Sequence, residues 1–285
     1  MRQPSITVRA GRRIAAPVLG RPRLETPLFV FCHHKVGTVL VTSVLRDVSR
    51  WFKWRFEVVR GEQTVPSPDA DIVLFIHARH EIAEEQPRSF TGVHIRRDPR
   101  EVVVSSYLYH RHTIESWCVA TQAGPDATTS AKIPLSQRYR SAEWKRAFVE
   151  SLDGTSYQQT LLGLTQAAGL RFEMTHYAGW TIEHMLGLHR SDAVSLRVRF
   201  EDLMNGFDTT FAQVFSVAGF TGQQQSVALR AARAHDLSRK AAADVAAMPH
   251  VHGPRPGRWR RYFDEGLQTD FDAIFPNVVK ELGYA

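Results

Sequence analysis

Cysteine is scarce: the 285 residues hold only Cys32 and Cys118. Two thiols build neither a disulfide framework nor a four-cysteine metal site, and the shortage fits a reducing, cytoplasmic compartment. Long apolar runs are also missing. A membrane-spanning helix needs roughly 20 consecutive apolar residues, whereas the longest runs here, such as Ile72–Ile76, have the length of strands. Acid is absent from residues 1–24, which carry Arg2, Arg9, Arg12, Arg13, Arg21 and Arg23. Those six arginines account for nearly all of the net charge of +7, so the rest of the chain is close to neutral. The basic balance is therefore a property of the tail, and no nucleic-acid partner is expected. With Pro4, Pro17, Pro22 and little periodicity, the tail reads as a disordered leader; a transit peptide shares its composition, but a secretory signal would need an apolar core. The nucleotide-kinase string G-x-x-x-x-G-K-S/T is lacking, as is the zinc-protease string H-E-x-x-H.

What is present is an alternation of strands and helices. Pro27–Cys32 is a short continuous apolar run, the pattern of a strand buried on both faces. A loop, His33–Gly37, leads into a helical spacing over Thr38–Arg50, with Val39, Leu40, Val44, Leu45 and Val48 as its apolar positions. Further strands are predicted at Arg55–Val59, Asp71–His77, Gly92–Arg96 and Val194–Phe200. Asp98 and Pro99 form an N-cap and first-turn signal for a helix through Tyr107. Helical patterns are expected over Ser156–Leu188, over Gln223–Met248 with a break near Asp236, and over Phe271–Leu282. Residues 111–155 are the least regular and predict a lid or acceptor-binding excursion. Together these predict a single α/β domain over residues 25–285: three layers, α/β/α, around a mostly parallel sheet with a phosphate-binding strand-loop-helix. In such sheets ligands bind beyond the carboxyl ends of the strands, where residues 33–38, 77–80 and 97–99 fall.

Lys35-Val36-Gly37-Thr38 stands between that first strand and first helix. There, free amides, the helix dipole, a lysine and a hydroxyl converge on an anion, and glycine lets the backbone approach. Downstream runs Arg97-Asp98-Pro99-Arg100-Glu101-Val102-Val103-Val104-Ser105. Its arginine can fork onto phosphate oxygens, and its serine adds a hydroxyl eight residues on.

In this order the segments resemble the family of sulfotransferases that use 3'-phosphoadenosine 5'-phosphosulfate (PAPS). The lysine loop is similar to the family's 5'-phosphosulfate loop, and the Arg97–Ser105 string to its 3'-phosphate motif, R-x-P-x-D/E-V-x-x-S. Tyr177-Ala178-Gly179-Trp180 resembles the adenine segment Y-x-x-W, Ser195–Leu203 the strand and E-D-L turn after it, and Gly257-Arg258-Trp259 the end of the C-terminal R-K-G-x-x-G-x-W loop. The resemblance spans about residues 28–265. It implies sulfuryl transfer from PAPS to a hydroxyl or amine by in-line displacement, leaving adenosine 3',5'-bisphosphate. It implies Lys35, Val36, Gly37, Thr38 and Val39 on the phosphosulfate, Arg97 and Ser105 on the 3'-phosphate, and Tyr177 beside adenine. Gly257 with Arg255 or Arg258 would complete the 3'-phosphate site.

Lys35 is then the group that neutralises charge on the leaving phosphate, and the family's strand-end histidine corresponds to His77, with His80 as its rival for general base. The chain departs from the family's K-S/T-G-T-T-W at Val36, Val39 and Leu40, losing a hydroxyl and an adenine-stacking ring, and at His252-Gly253-Pro254, where R-K-G is expected. The region Leu237–Lys240 is where adenine's other face would be met. The histidine pairs 77/80, 110/112 and 250/252 have no cysteine partners, so no metal is predicted. Two other readings stay open at this point: a nucleotide-dependent small-molecule kinase, and a non-catalytic nucleotide- or polyanion-binding protein. The acceptor class, whether small molecule, lipid or glycan, is not specified by any motif, and neither is the oligomeric state.

Overall fold

The computed structural model describes residues 24–60, 65–121, 132–240 and 257–284. The basic segment 1–23, His250, His252 and Arg255 lie outside the described residues.

Five strands form one sheet: β1 (Leu28–Cys32), β2 (Phe56–Val59), β3 (Ile72–Ile76), β4 (Thr91–Arg96) and β5 (Leu196–Arg199), in the order β2-β3-β1-β4-β5. Every pairing is parallel, so the sheet is wholly rather than mostly parallel among the described residues. Parallel strands need covered faces, and β1 and β3 answer with five buried residues each. In register, Val30 lies between Leu74 and Val93. Leu28, Val30 and Cys32 join the larger core on one face; Phe29, Phe31, Val73 and Phe75 form a smaller one on the other.

The helices are α1 (Thr38–Phe52), α2 (Pro99–His110), α3 (Ser116–Val119), α4 (Ala142–Ser151), α5 (Tyr157–Gly163), α6 (Gln166–Thr175), α7 (Tyr177–Arg190), α8 (Phe200–Asn205), α9 (Phe207–Val217), α10 (Gly222–Ala232), α11 (Glu265–Ile274) and α12 (Val278–Glu281). The described parts of the 111–155 excursion fold onto the core, burying Trp117, Cys118, Ile133, Phe148 and Leu152. The helical spacing over Phe271–Leu282 resolves into two helices, because Pro276 cannot continue the first and Asn277 turns with φ 63°. Within the Gln223–Met248 pattern α10 ends at Ala232, tight turns follow, and Asp236 caps the second by accepting from the Ser238 N–H; residues 241–248 lie outside the described part.

The strand order fixes where a ligand can sit. From β1 the chain moves outward to β2, returns to β3 beside β1, then crosses to β4 on β1's other side. The loops after β1 and β4 therefore part at a topological switch point, the place where parallel sheets of this kind generally take their ligands. The last residues of the chain brace that end: Arg96 Nη1 donates to the Leu282 carbonyl (2.5 Å), Arg100 Nη2 to the Tyr284 carbonyl (3.2 Å), and the Tyr284 hydroxyl to Glu201 (2.8 Å).

Candidate functional site

The loop after β1 turns through two left-handed residues, Lys35 (φ 60°) and Gly37 (φ 84°). At residue 37 glycine is doubly required: the φ is unfavourable for a side chain, and a Cβ would lie 2.5 Å from the ring of Phe200. Helix α1 starts directly after, with no acidic residue in its first turn and no side-chain cap. Its first N–H groups lack intrahelical partners and carry the positive end of the helix dipole. The Thr38 hydroxyl donates to the His33 carbonyl (3.1 Å), which shapes the loop and leaves its lone pairs as acceptors. Val36 is wholly buried and Val39 exposed, so any part they play in holding an anion is through the backbone.

Helix α2 begins where sequence predicts, with Asp98 accepting from the Arg100 N–H (3.0 Å). Arg97, between β4 and that cap, reaches across the switch point: its Nη1 donates to the carbonyl of Lys35 at 2.6 Å. Its guanidinium also lies over Phe200, 4.9 Å from the ring centre. The two motif segments, 62 residues apart in sequence, thus form one site.

Glu101 is the buried counterion. One carboxylate oxygen is 3.6 Å from Arg97 and 3.9 Å from Arg258, and the other accepts the Trp259 N–H at 3.0 Å. Gly257 (φ 86°) turns the chain into this contact, and Trp259 spreads over Arg100, 3.8 Å from the ring centre. Ser105 is buried on the same face of α2, one turn beyond Glu101. Lys35 completes the cluster. Burial first, then repulsion from Arg97 and Arg258, brings its ammonium down to about 8. It remains cationic at neutral pH, resting over the Tyr109 ring at 4.0 Å. Glu101 faces Arg97 and Arg258, Glu201 also acts on Arg97 and Glu115 on Lys35, so three carboxylates balance the three cations of the cluster.

The loop after β3 supplies the histidines. His77 has φ 55°, and the next N–H, of Ala78, bonds the Cys32 carbonyl, tying this loop to the end of β1. The His77 ring stacks on His34 (5.5 Å between centres), and its Nδ1 lies 3.4 Å from the Tyr177 hydroxyl. Burial, only partly opposed by the charge of Glu115, brings His77 down to about 4, so it is neutral at pH 7 with a lone pair to offer. His77 lines a cleft together with His34, Ser136, Gln137, Thr181 and His184. His80 has gone elsewhere: its ring meets His184, 3.1 Å between Nδ1 atoms.

His34 joins the two halves. Its ring neighbours both His77 and Tyr109 (5.4 Å), the ring that carries Lys35. Glu115, absent from the sequence-based candidates, acts on both: its charge favours the protonated forms of Lys35 and His77. Burial pushes Glu115 up, but hydrogen bonds from the Tyr109 hydroxyl (2.7 Å) and Trp117 Nε1 (2.5 Å) more than offset this and hold it low.

Tyr177 is buried between Trp117, stacked at 5.0 Å, and the rings of His34 and His110, which leaves neither ring face open. Trp180 packs against Trp144 and Phe148. Of the E-D-L turn, Glu201 accepts the Asp98 N–H (3.2 Å), and Asp202 pairs with Arg199 (2.8 Å). Leu237–Arg239 is a 3-10 turn.

No family model matches the chain, and no curated protein matches it significantly in sequence. Among solved structures, it is similar to mouse sulfotransferase SULT7A1 complexed with PAP, at 13% identity and a TM-score of 0.48, over 90% of this chain and 85% of that one. That likeness is too loose to carry the role of any residue across.

Proposed function

We propose that this chain is a sulfotransferase that takes a sulfuryl group from PAPS to a hydroxyl or amine acceptor. The observation that supports this most is the 2.6 Å bond from Arg97 to the Lys35 carbonyl, which makes two anion-binding segments neighbours. PAPS has an anion at each end of one adenosine, and the residues present suit both. Arg97 Nε, buried and without a hydrogen-bond acceptor among the described residues, is a donor suited to the 3'-phosphate. Ser105, Arg258 and the Gly257 backbone stand on that side; Lys35 and the amides of residues 36–39 stand on the phosphosulfate side, joined by the Thr38 hydroxyl once it turns from the His33 carbonyl. Bound there, PAPS supplies an activated sulfuryl group whose leaving phosphate gains negative charge.

Lys35 neutralises that charge where it develops. His77 takes the acceptor's proton; a value near 4 suits a weak base, and a polyanion bound nearby raises it. Tyr177 enters this reading as the side chain that fixes the His77 ring, since it offers no face to adenine. A kinase would call for an acid at a strand end to hold magnesium, but β1, β3 and β4 lead into His33, His77 and Arg97.

Thermal melting of the full chain with adenosine 3',5'-bisphosphate, ATP or NAD tests the reading, because a ligand that binds the folded state raises the midpoint. The bisphosphate is expected to give the largest rise, and a preference for ATP overturns the assignment. His77→Ala is expected to lower turnover with PAPS about 10²–10⁴-fold while the bisphosphate shift persists. Unchanged turnover in that variant removes His77 as the base.

A further inference from the structure

His80 and His184 are 104 residues apart in sequence, and α7 is shaped to bring them together. A Cβ at Gly187 would lie 2.5 Å from the Cβ of His80, so only glycine lets that ring approach the helix. Three residues earlier on the same helix, His184 aims Nδ1 at His80 Nδ1, 3.1 Å away. Glu81 is the third member: ligand atoms of the three side chains all lie within 4.8 Å of one another. Its Oε2 is buried and accepts no hydrogen bond among the described residues. On its far side, His184 Nε2 is 3.0 Å from the Tyr139 hydroxyl.

We propose that His80, His184 and Glu81 form a zinc(II) site at the edge of the His77 cleft. Two imidazole nitrogens on a tetrahedral zinc, each about 2.0–2.1 Å from it, lie roughly 3.3 Å apart, close to the spacing seen. Coordination through both Nδ1 atoms leaves the His184 Nε2–H to donate to Tyr139, the outer hydrogen bond that fixes the tautomer and orientation of a metal-bound histidine. Two nitrogens and one carboxylate suit zinc and disfavour magnesium and calcium, which prefer oxygen. The cations nearby do not cancel the site. Arg79 is shared by Glu81 (3.9 Å) and Glu85 (3.5 Å) and lies over Tyr139, and Arg140 Nε donates to Gln137. The two glutamates face these two arginines, so the incoming dication meets a balanced field. The site stands apart from the sulfuryl-transfer reading, since its donors converge whether or not PAPS is the donor substrate.

The test is calorimetric titration of the full chain, prepared without a histidine tag and stripped with chelator, with zinc chloride and separately with magnesium chloride. One zinc per chain is expected, with no saturable uptake of magnesium. His80→Ala and His184→Ala are each expected to abolish that equivalent. Tyr139→Phe and Gly187→Ala, which leave all three ligands in place, are expected to weaken it about ten-fold or more. His80 is half exposed, so His80→Ala is expected to melt like the parent without zinc and, unlike the parent, to gain nothing from zinc. Equal zinc affinity in the parent and the doubly substituted chain, or no saturable zinc binding by the parent, overturns the proposal.

Discussion

Lys35 combines a positive φ, a ring beneath its ammonium and two arginines within electrostatic reach. Because burial and those arginines lower it to about 8, its charge is present below that pH and is lost above it. Affinity for adenosine 3',5'-bisphosphate is therefore expected to fall as pH rises, by up to about ten-fold at pH 9. Calorimetric titration across pH 7–9 checks this, and Lys35→Met should flatten the slope. An affinity independent of pH in the parent would place the ammonium away from the anion. Lys35, Gly37 and Arg97 were legible in the sequence because each is tied to a strand end or helix start by local pattern. Glu101, Glu115 and His184 were not. Glu101 stands within the quoted Arg97–Ser105 string, but its partner segment at Arg258 comes from 157 residues on, and nothing local reports that contact. Phe200 is similar: its importance lies in the space that Gly37 leaves.

Among the elements, α2 holds the site together. Glu101 on its first turn ties Arg97 to the C-terminal segment, and its carboxylate is 1% exposed. Removing one member of a buried ionic group strands the others without compensation. Glu101→Ala is expected to cost about 3–5 kcal/mol in denaturant unfolding. Glu101→Gln should lose less, since an amide oxygen still accepts the Trp259 N–H. An alanine variant as stable as the parent would mean that the arginines are satisfied elsewhere. Strands were the elements best read from sequence, β1 and β3 most directly, because continuous apolar runs of five residues have few other uses in a sheet covered on both faces. Helix ends were read less well. The apolar spacing that predicts one C-terminal helix continues across Pro276, while the backbone does not.

Across the whole molecule, histidine sets the response to acid. His33, His34 and His94 are buried and His77 is half-buried, and desolvation holds all four below the ordinary value of 6.5, His33 at about 3 and His77 at about 4. In the unfolded chain they take up protons near 6.5; in the folded chain they do not until far lower pH. Protons thus favour the unfolded state: this stability is complete above about pH 6.5 and is lost as pH falls toward 4. At pH 5 His33 and His77 each cost roughly 2 kcal/mol, and each kcal/mol is worth about 2–4 °C in a chain of this order of size. The melting midpoint is expected to drop by about 10 °C or more between pH 7 and pH 5. A flat profile over that interval would show these rings to be solvated.

The Leu282 and Tyr284 carbonyls hold Arg96, directly before Arg97, and Arg100, three residues after it. Displacing residues 282–284 would therefore release both guanidinium groups beside Arg97.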